Sequence, residues 1–199
     1  GLSLFPYLVR IYHTFKKTPI DFSLLRSRWR FFTGSFILNI STTFKGSIDK
    51  IIITQIAGFA ILGNYQLGFQ FLSIMNMLPI MVFKYILPHD AGGIPNKKLK
   101  RLVILTSVGI TIMGIVLSPI IITYIFPNYI DVIEVIQIMS ISVIPFTFSI
   151  IFISEFLGNE KIRTVLVGSI IFIVVTVLSI IILGHMFGIN GIAASMVLA

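Results

Sequence analysis

Apolar positions in this chain fall in long runs without regular polar interruption. Residues 51–83, 102–130, 135–154 and 164–199 contain no Asp, Glu, Lys or Arg. A helix crosses the hydrocarbon core of a bilayer with about 20 apolar residues, and each of these runs reaches that length. The strands of a membrane barrel alternate apolar and polar positions, which these runs do not. The pattern predicts an all-α protein, a polytopic bundle of transmembrane helices.

Turn-forming residues divide the runs. The stretch 31–44 (FFTGSFILNISTTF) is uncharged but too short to cross alone, so the first helix is extended through Lys45, Asp49 and Lys50 to give a span at 29–56. Gly58, Gly63 and Asn64 mark a tight turn, because Gly and Asn tolerate positive φ. A second span follows at about 62–87, closed by Pro88, Gly92, Gly93 and Pro95. A third covers about 102–126 and stops at Pro127-Asn128. A fourth covers about 131–156 and stops at Gly158-Asn159. A fifth covers about 163–186, and Gly188 and Gly191 precede a last helix that has only begun at Ala199. Residues 1–15 read as the end of a preceding transmembrane helix, and 16–28 as a cytoplasmic linker. Residues 29–199 read as a second transmembrane bundle truncated at its last helix. The expectation is five full spans plus two partial ones, in a piece of a larger protein. Pro79, Pro119 and Pro145 are expected to interrupt three spans, and Gly109 and Gly114 to loosen one.

Composition strengthens this reading. Of 199 residues 56% are hydrophobic and 11% charged, with a mean hydropathy of +1.03. Soluble domains carry roughly 25% charged residues. The chain has no cysteine, which excludes disulfides, thiolate metal sites and cysteine nucleophiles.

Charge sets orientation before it says anything of partners. There are 15 basic and 7 acidic residues, a net charge of +8. Eleven of the fifteen (five, four and two) cluster at Lys16, Lys17, Arg26, Arg28 and Arg30, at Lys97, Lys98, Lys100 and Arg101, and at Lys161 and Arg163. The intervening turns at 57–63, 127–130 and 187–190 carry none. This alternation fits basic loops in the cytoplasm of a multi-pass plasma-membrane protein, and only if 29–56 spans. The excess positive charge therefore does not call for nucleic acid.

Lys45, Asp49 and Lys50 stand out because they lie inside a span. A charge at the centre of a membrane helix costs about 2.5–3.5 kcal/mol on insertion scales, and such groups usually face a bundle interior or a water-filled cavity. Lys45 and Asp49 are four residues apart, on one face. Asn39, Thr42, Thr43 and Gly46 adjoin them. On the next span Gln66, Gln70 and Ser73 recur at helical spacing, with Asn76 beyond. An antiparallel neighbour would bring these amides close to Lys45 and Lys50. Lysine suits a phosphate, and amides suit sugar hydroxyls. The candidate substrate contacts are thus Lys45, Lys50, Asn39, Gln66 and Gln70, with Asp49 tuning the charge or coupling an ion. The same residues also read structurally, as a helix-stabilising pair with amides bridging helices. Asp131 and Glu134 have the spacing of an acidic metal motif, but acids in a first helical turn favour the dipole without any metal. His13, His89 and His185 are too scattered for a metal site, and no cofactor is expected. Glu155 and Lys84 read as groups that snorkel or pair near helix ends, and Trp29 as an interfacial anchor.

From Asp49 onward the sequence resembles a known family. The segment "DKIIITQIAGFAILGNYQLGFQFLSIMNMLP" (49–79) resembles the opening helix pair of polysaccharide flippases in the multidrug/oligosaccharidyl-lipid/polysaccharide exporter superfamily. The pattern there is Asp, a basic residue, aliphatics, then Gly…Leu-Gly-x-Tyr, here Asp49, Lys50, Gly58, Leu62, Gly63 and Tyr65. "FPNYIDVIEVIQIMSI" (126–141), "SEFLGNEKIR" (154–163) and "FGINGIAAS" (187–195) are similar to later family segments. Ile192 departs from a position where alanine is common. The resemblance covers about 29–199. It implies a MATE-like fold of two six-helix bundles, of which this chain is mostly the second. It also implies movement of a prenyl-diphosphate-linked oligosaccharide to the outer leaflet by alternating access, with no enzymatic step. The partners it implies are the lipid-linked sugar, membrane lipids and the missing bundle. Of the residues above, the motif supplies only Asp49 and Lys50. The competing readings are a cation-coupled drug exporter of the same superfamily, a non-transporting membrane subunit, and a membrane enzyme acting on prenyl phosphates. Buried lysines outnumbering acids favour an anionic substrate, and the enzyme would need clustered acids that the spans lack.

Overall fold

The computed structural model describes the backbone of residues 29–93 and 96–198. Within them it describes the side chains of Trp29, Thr33, Phe36, Ile37 and every residue from Ser47 onward. The segments read as a preceding helix (1–15) and a linker (16–28) lie outside the described residues. Regular structure among the described residues is entirely helical. It comprises α1 (Trp29–Met75), α2 (Met77–Ala91), α3 (Lys97–Ile125), a 3-10 turn (Pro127–Tyr129), α4 (Val132–Ile141), α5 (Val143–Gly158) and α6 (Ile162–Leu198).

Four stretches are long and apolar enough to cross a membrane: Ser47–Ala91, Lys97–Ile125, Val132–Gly158 and Ile162–Leu198. The first has 45 residues, about 68 Å if straight, more than twice a hydrocarbon core of about 30 Å. It does not run straight. Gly58 has φ 80° and ψ 175°, a combination open essentially to glycine alone. The chain reverses there, since Tyr65 reaches back to hydrogen-bond Asp49, sixteen residues earlier. A continuous helix would hold those residues about 24 Å apart. The turn expected across 58–64 is thus one residue wide, and Gly63 and Asn64 are already helical. A second reversal falls at Gly188, with φ 59° and ψ −135°. Beyond it Ile192 lies against Gly184, and Gly191 against the Leu183 carbonyl.

Two of the three prolines interrupt their spans as expected, and one does not. Pro119 lies inside an unbroken α3. The breaks come at Asn76 and Ser142, each three residues before Pro79 and Pro145. A proline lacks the N–H that would bond the carbonyl four residues back and crowds that carbonyl, so the ladder fails on its N-terminal side. Both prolines then occupy a first helical turn, where no N–H is needed. Pro88 does not close its helix either. α2 continues to Ala91 and ends only at Gly92 and Gly93, the latter with φ 73°.

The packing is inside-out relative to a water-soluble protein. Large apolar side chains point outward, with Leu105 72% and Phe59 80% exposed. Serines and threonines point inward: Ser107, Thr111, Ser118, Ser140, Thr147 and Ser154 are all buried. On α3, Val103, Ser107, Thr111, Ser118 and Ile122 form one buried stripe at helical spacing. Gly114 completes it, packed on Ser140 and Met75. That glycine allows close approach rather than loosening the span. Gly109, by contrast, faces open space. Thr111 Oγ1 donates to the Ser140 carbonyl (3.1 Å) and Gln137 Nε2 to the Ile115 carbonyl (3.2 Å), tying α3 to α4. Between helices surrounded by lipid there is no hydrophobic drive, so small residues and such bonds provide the association. An apolar core nonetheless runs through the centre, joining Ile53, Tyr65 and Leu72 of α1 to Val135, Ile136 and Met139 of α4 and to Ile180 and Ile192 of α6.

Candidate functional site

The reversal at Gly58 builds the candidate site, within a stretch long and apolar enough to span a membrane. Asp49 lies nine residues before it and Tyr65 seven after, about 14 Å and 10 Å along their arms. Antiparallel arms of such similar reach place the two side chains level. Tyr65 Oη donates to Asp49 Oδ2 at 2.7 Å, and the Lys50 backbone N–H donates to Oδ1 at 2.9 Å. Asp49 is 1% exposed, and Tyr65 fully buried. A carboxylate out of water is costly unless its oxygens are hydrogen-bonded, and here both are.

Lys50 points elsewhere. It is half-buried, and its Nζ lies 5.8 Å from the centroid of the Phe69 ring, within cation–π range. Phe69 in turn stacks on Tyr65, with centroids 6.2 Å apart. Tyr65 and Phe69 are four residues apart and share the face that meets Asp49 and Lys50. Gln66 is half-buried with Oε1 enclosed, and Gln70 is exposed. It is therefore the aromatic pair, not the amides, that stands opposite Asp49 and Lys50. The reason is angular: Tyr65 and Gln66 are consecutive, and consecutive helical positions diverge by about 100°. The side chains of Lys45 and Asn39 lie outside the described residues.

A small cleft opens beside Asp49, between α1 and α6. Ile48, Asp49, Phe172, Ile173, Thr176 and Val177 line it. Its free volume of about 10 Å³ takes roughly one water molecule. Thr176 sits there with its hydroxyl donating to the Phe172 carbonyl (2.8 Å).

A second charged constellation was not legible in advance. Asp90 is buried at the end of α2. Lys100 Nζ of α3 lies 3.0 Å from its Oδ2 and 3.7 Å from Glu155 Oε2 of α5. Ser154 Oγ donates to the same Asp90 oxygen at 2.9 Å. Glu155 does pair near a helix end, as expected. Asp90 gives one usable signal, once its helix is seen to run past Pro88. An acid in the last turn of a helix opposes the dipole and needs a cation, and Lys100 is the near one across the turn. Glu134 is also engaged, since Asn190 Nδ2 donates to its Oε2 at 2.7 Å. Asp131 is exposed.

No family model, no curated protein and no solved structure matches this chain.

Proposed function

We propose that this chain is part of a transporter that moves a prenyl-diphosphate-linked oligosaccharide across the plasma membrane. On this reading it forms most of the second bundle of a MATE-like pair, with five spans and its basic loops in the cytoplasm. It is a carrier and not an enzyme. The observation that carries the reading is a buried aspartate, Asp49, hydrogen-bonded by Tyr65 inside a membrane-spanning stretch, with Lys50 half-buried alongside. Ionisable groups at membrane depth are expensive and usually mark a substrate or ion pathway. The likeness of 49–79 to the flippase motif assigns that pathway to an anionic lipid-linked sugar.

In this mechanism the Lys50 ammonium meets the diphosphate as a point charge, and Lys45 is the second candidate cation of the same helix. The cleft beside Asp49 is too small for a sugar or a diphosphate. The substrate therefore reaches Lys50 from the open side of the arm, facing the partner bundle. Asp49 holds Tyr65, and Tyr65 holds Phe69 beneath the ammonium, so the three set where that charge stands. Bundle rocking then exposes it to each leaflet in turn.

The test is flipping of a fluorescent lipid-linked sugar by the full-length protein in vesicles. Lys45→Ala and Lys50→Ala abolish translocation while insertion and folding persist. Unchanged flipping in the double variant overturns the reading.

A further inference from the structure

The end of the bundle that carries the basic loops gathers charge from several elements. Lys97, Lys98, Lys100 and Arg101 open α3, and Lys161 and Arg163 lie where α5 passes into α6. Lys100 draws these stretches together, reaching Asp90 of α2 and Glu155 of α5 at once. Gly158 adds a backbone contact. A Cβ there would stand 2.8 Å from the Asp90 carbonyl carbon, so α5 lies directly on the end of α2.

The charges do not balance. Six cations face three acids, Asp90, Glu155 and Glu160, which leaves a net +3. The two contacts of Lys100 are the only ion pairs among the described residues, so Asp90 and Glu155 are both spent on it. Lys97, Lys98, Arg101, Lys161 and Arg163 are all exposed, and none meets an acid among the described residues. Next to these cations the helices turn apolar at once. Leu102 and Leu105 are 58% and 72% exposed on α3, and Val167 is 56% exposed on α6. Outward cations directly above outward aliphatics match an anionic phospholipid, with phosphate at the rim and acyl chain below it.

We propose that this surface binds the headgroups of anionic phospholipids, with Lys97, Lys98, Arg101, Lys161 and Arg163 supplying the charge. Lys100 is not among them, because Asp90 and Glu155 already neutralise it. Its part is to hold α3 against α5 so that the two sets of cations form one patch. Cations beside an anionic leaflet are attracted individually, and the attraction decays within a Debye length, so binding is salt-dependent.

The experiment uses full-length protein in nanodiscs of phosphatidylcholine, with or without phosphatidylglycerol, and no prenyl diphosphate. Lipids retained on the protein are read by native mass spectrometry, and the unfolding midpoint is followed in parallel. The wild type enriches phosphatidylglycerol and unfolds at a higher temperature in its presence, because a ligand that binds only the folded state stabilises it. Both gains shrink as salt rises. The variant K97Q/K98Q/R101Q/K161Q/R163Q loses both gains while its midpoint in pure phosphatidylcholine stays unchanged. The smaller variant K97Q/K98Q/R101Q loses part of the enrichment, and it serves if the larger one does not fold. Enrichment that survives in the variants, or is absent from the wild type, overturns the proposal. Transport is not read, so this result is independent of the flippase reading.

Discussion

Two aspartates are buried among the described residues, and they are held in opposite ways. Asp90 sits at a helix end with a lysine 3.0 Å away and a serine hydroxyl on the same oxygen. Asp49 sits within a stretch long and apolar enough to span a membrane, and its partners are a tyrosine hydroxyl and a backbone N–H. The lysine beside it in sequence lies over a phenylalanine ring instead. At Asp90 charge meets charge and fastens three helices together. At Asp49 the carboxylate is satisfied by neutral donors, and the neighbouring cation stays separate from it. The first arrangement reads as structural. The second leaves the Lys50 ammonium without an acidic partner among the described residues.

Substitutions sharpen that contrast, and the largest effect falls at the structural site. Asp90→Ala leaves Lys100 without its close partner and lowers stability by about 3 kcal/mol, seen as reduced resistance to denaturant in detergent. Equal stability of variant and wild type would break the comparison at once. Gly158→Ala acts on the same place without touching a charge. Its Cβ presses on the Asp90–Ala91 backbone, which must shift, at a cost of about 1–3 kcal/mol in the same assay. Tyr65→Phe removes one of two donors from a buried acceptor and costs about 1–2 kcal/mol. Asp49→Asn has the smallest effect on stability, about 1 kcal/mol, because the amide oxygen still accepts from Tyr65 while the new NH2 takes the place of the oxygen that accepted from the Lys50 N–H. On the proposed transport reading its effect on transport is the reverse. Flipping of labelled lipid-linked sugar falls about tenfold or more, equivalent to about 1.4 kcal/mol at the barrier. A variant that flips normally yet is destabilised would make Asp49 a second structural aspartate.

Part of this was readable along the chain. The four charge-free runs locate the long apolar helices, because exclusion of charge from hydrocarbon acts residue by residue. Gly58 and Gly188 were legible as turns for a similar local reason. The interruptions at Pro79 and Pro145 were legible too, whereas Pro119 leaves its helix unbroken. A proline disrupts the ladder at the carbonyl behind it, so the bend at Ser142 precedes Pro145. At the site, Asp49 and Lys50 stood out because any charge within a span does. Of their neighbours, Tyr65 entered only through the family resemblance, and Phe69 did not stand out. Gln66 and Gln70 drew attention by polarity, while the face that meets Asp49 carries Tyr65 and Phe69. Which face turns inward depends on where Gly58 aims the second arm, and one residue of turn length rotates it by about 100°. Asp90 was passed over because Pro88 suggested that the helix had already ended.

By itself the sequence determined that the chain is helical, apolar and divided at particular glycines, because those properties follow from each residue's own backbone freedom and hydration. Only the tertiary structure decided which polar groups meet. The Tyr65–Asp49 bond and the Asp90–Lys100–Ser154 cluster join residues from different arms and helices. Such contacts depend on the rotation of whole helices against one another. That rotation is fixed by close packing at Gly68, Gly114 and Gly158 against Val135, Ser140 and Asp90. No local run of residues encodes it, because each contact needs a surface that another part of the chain supplies.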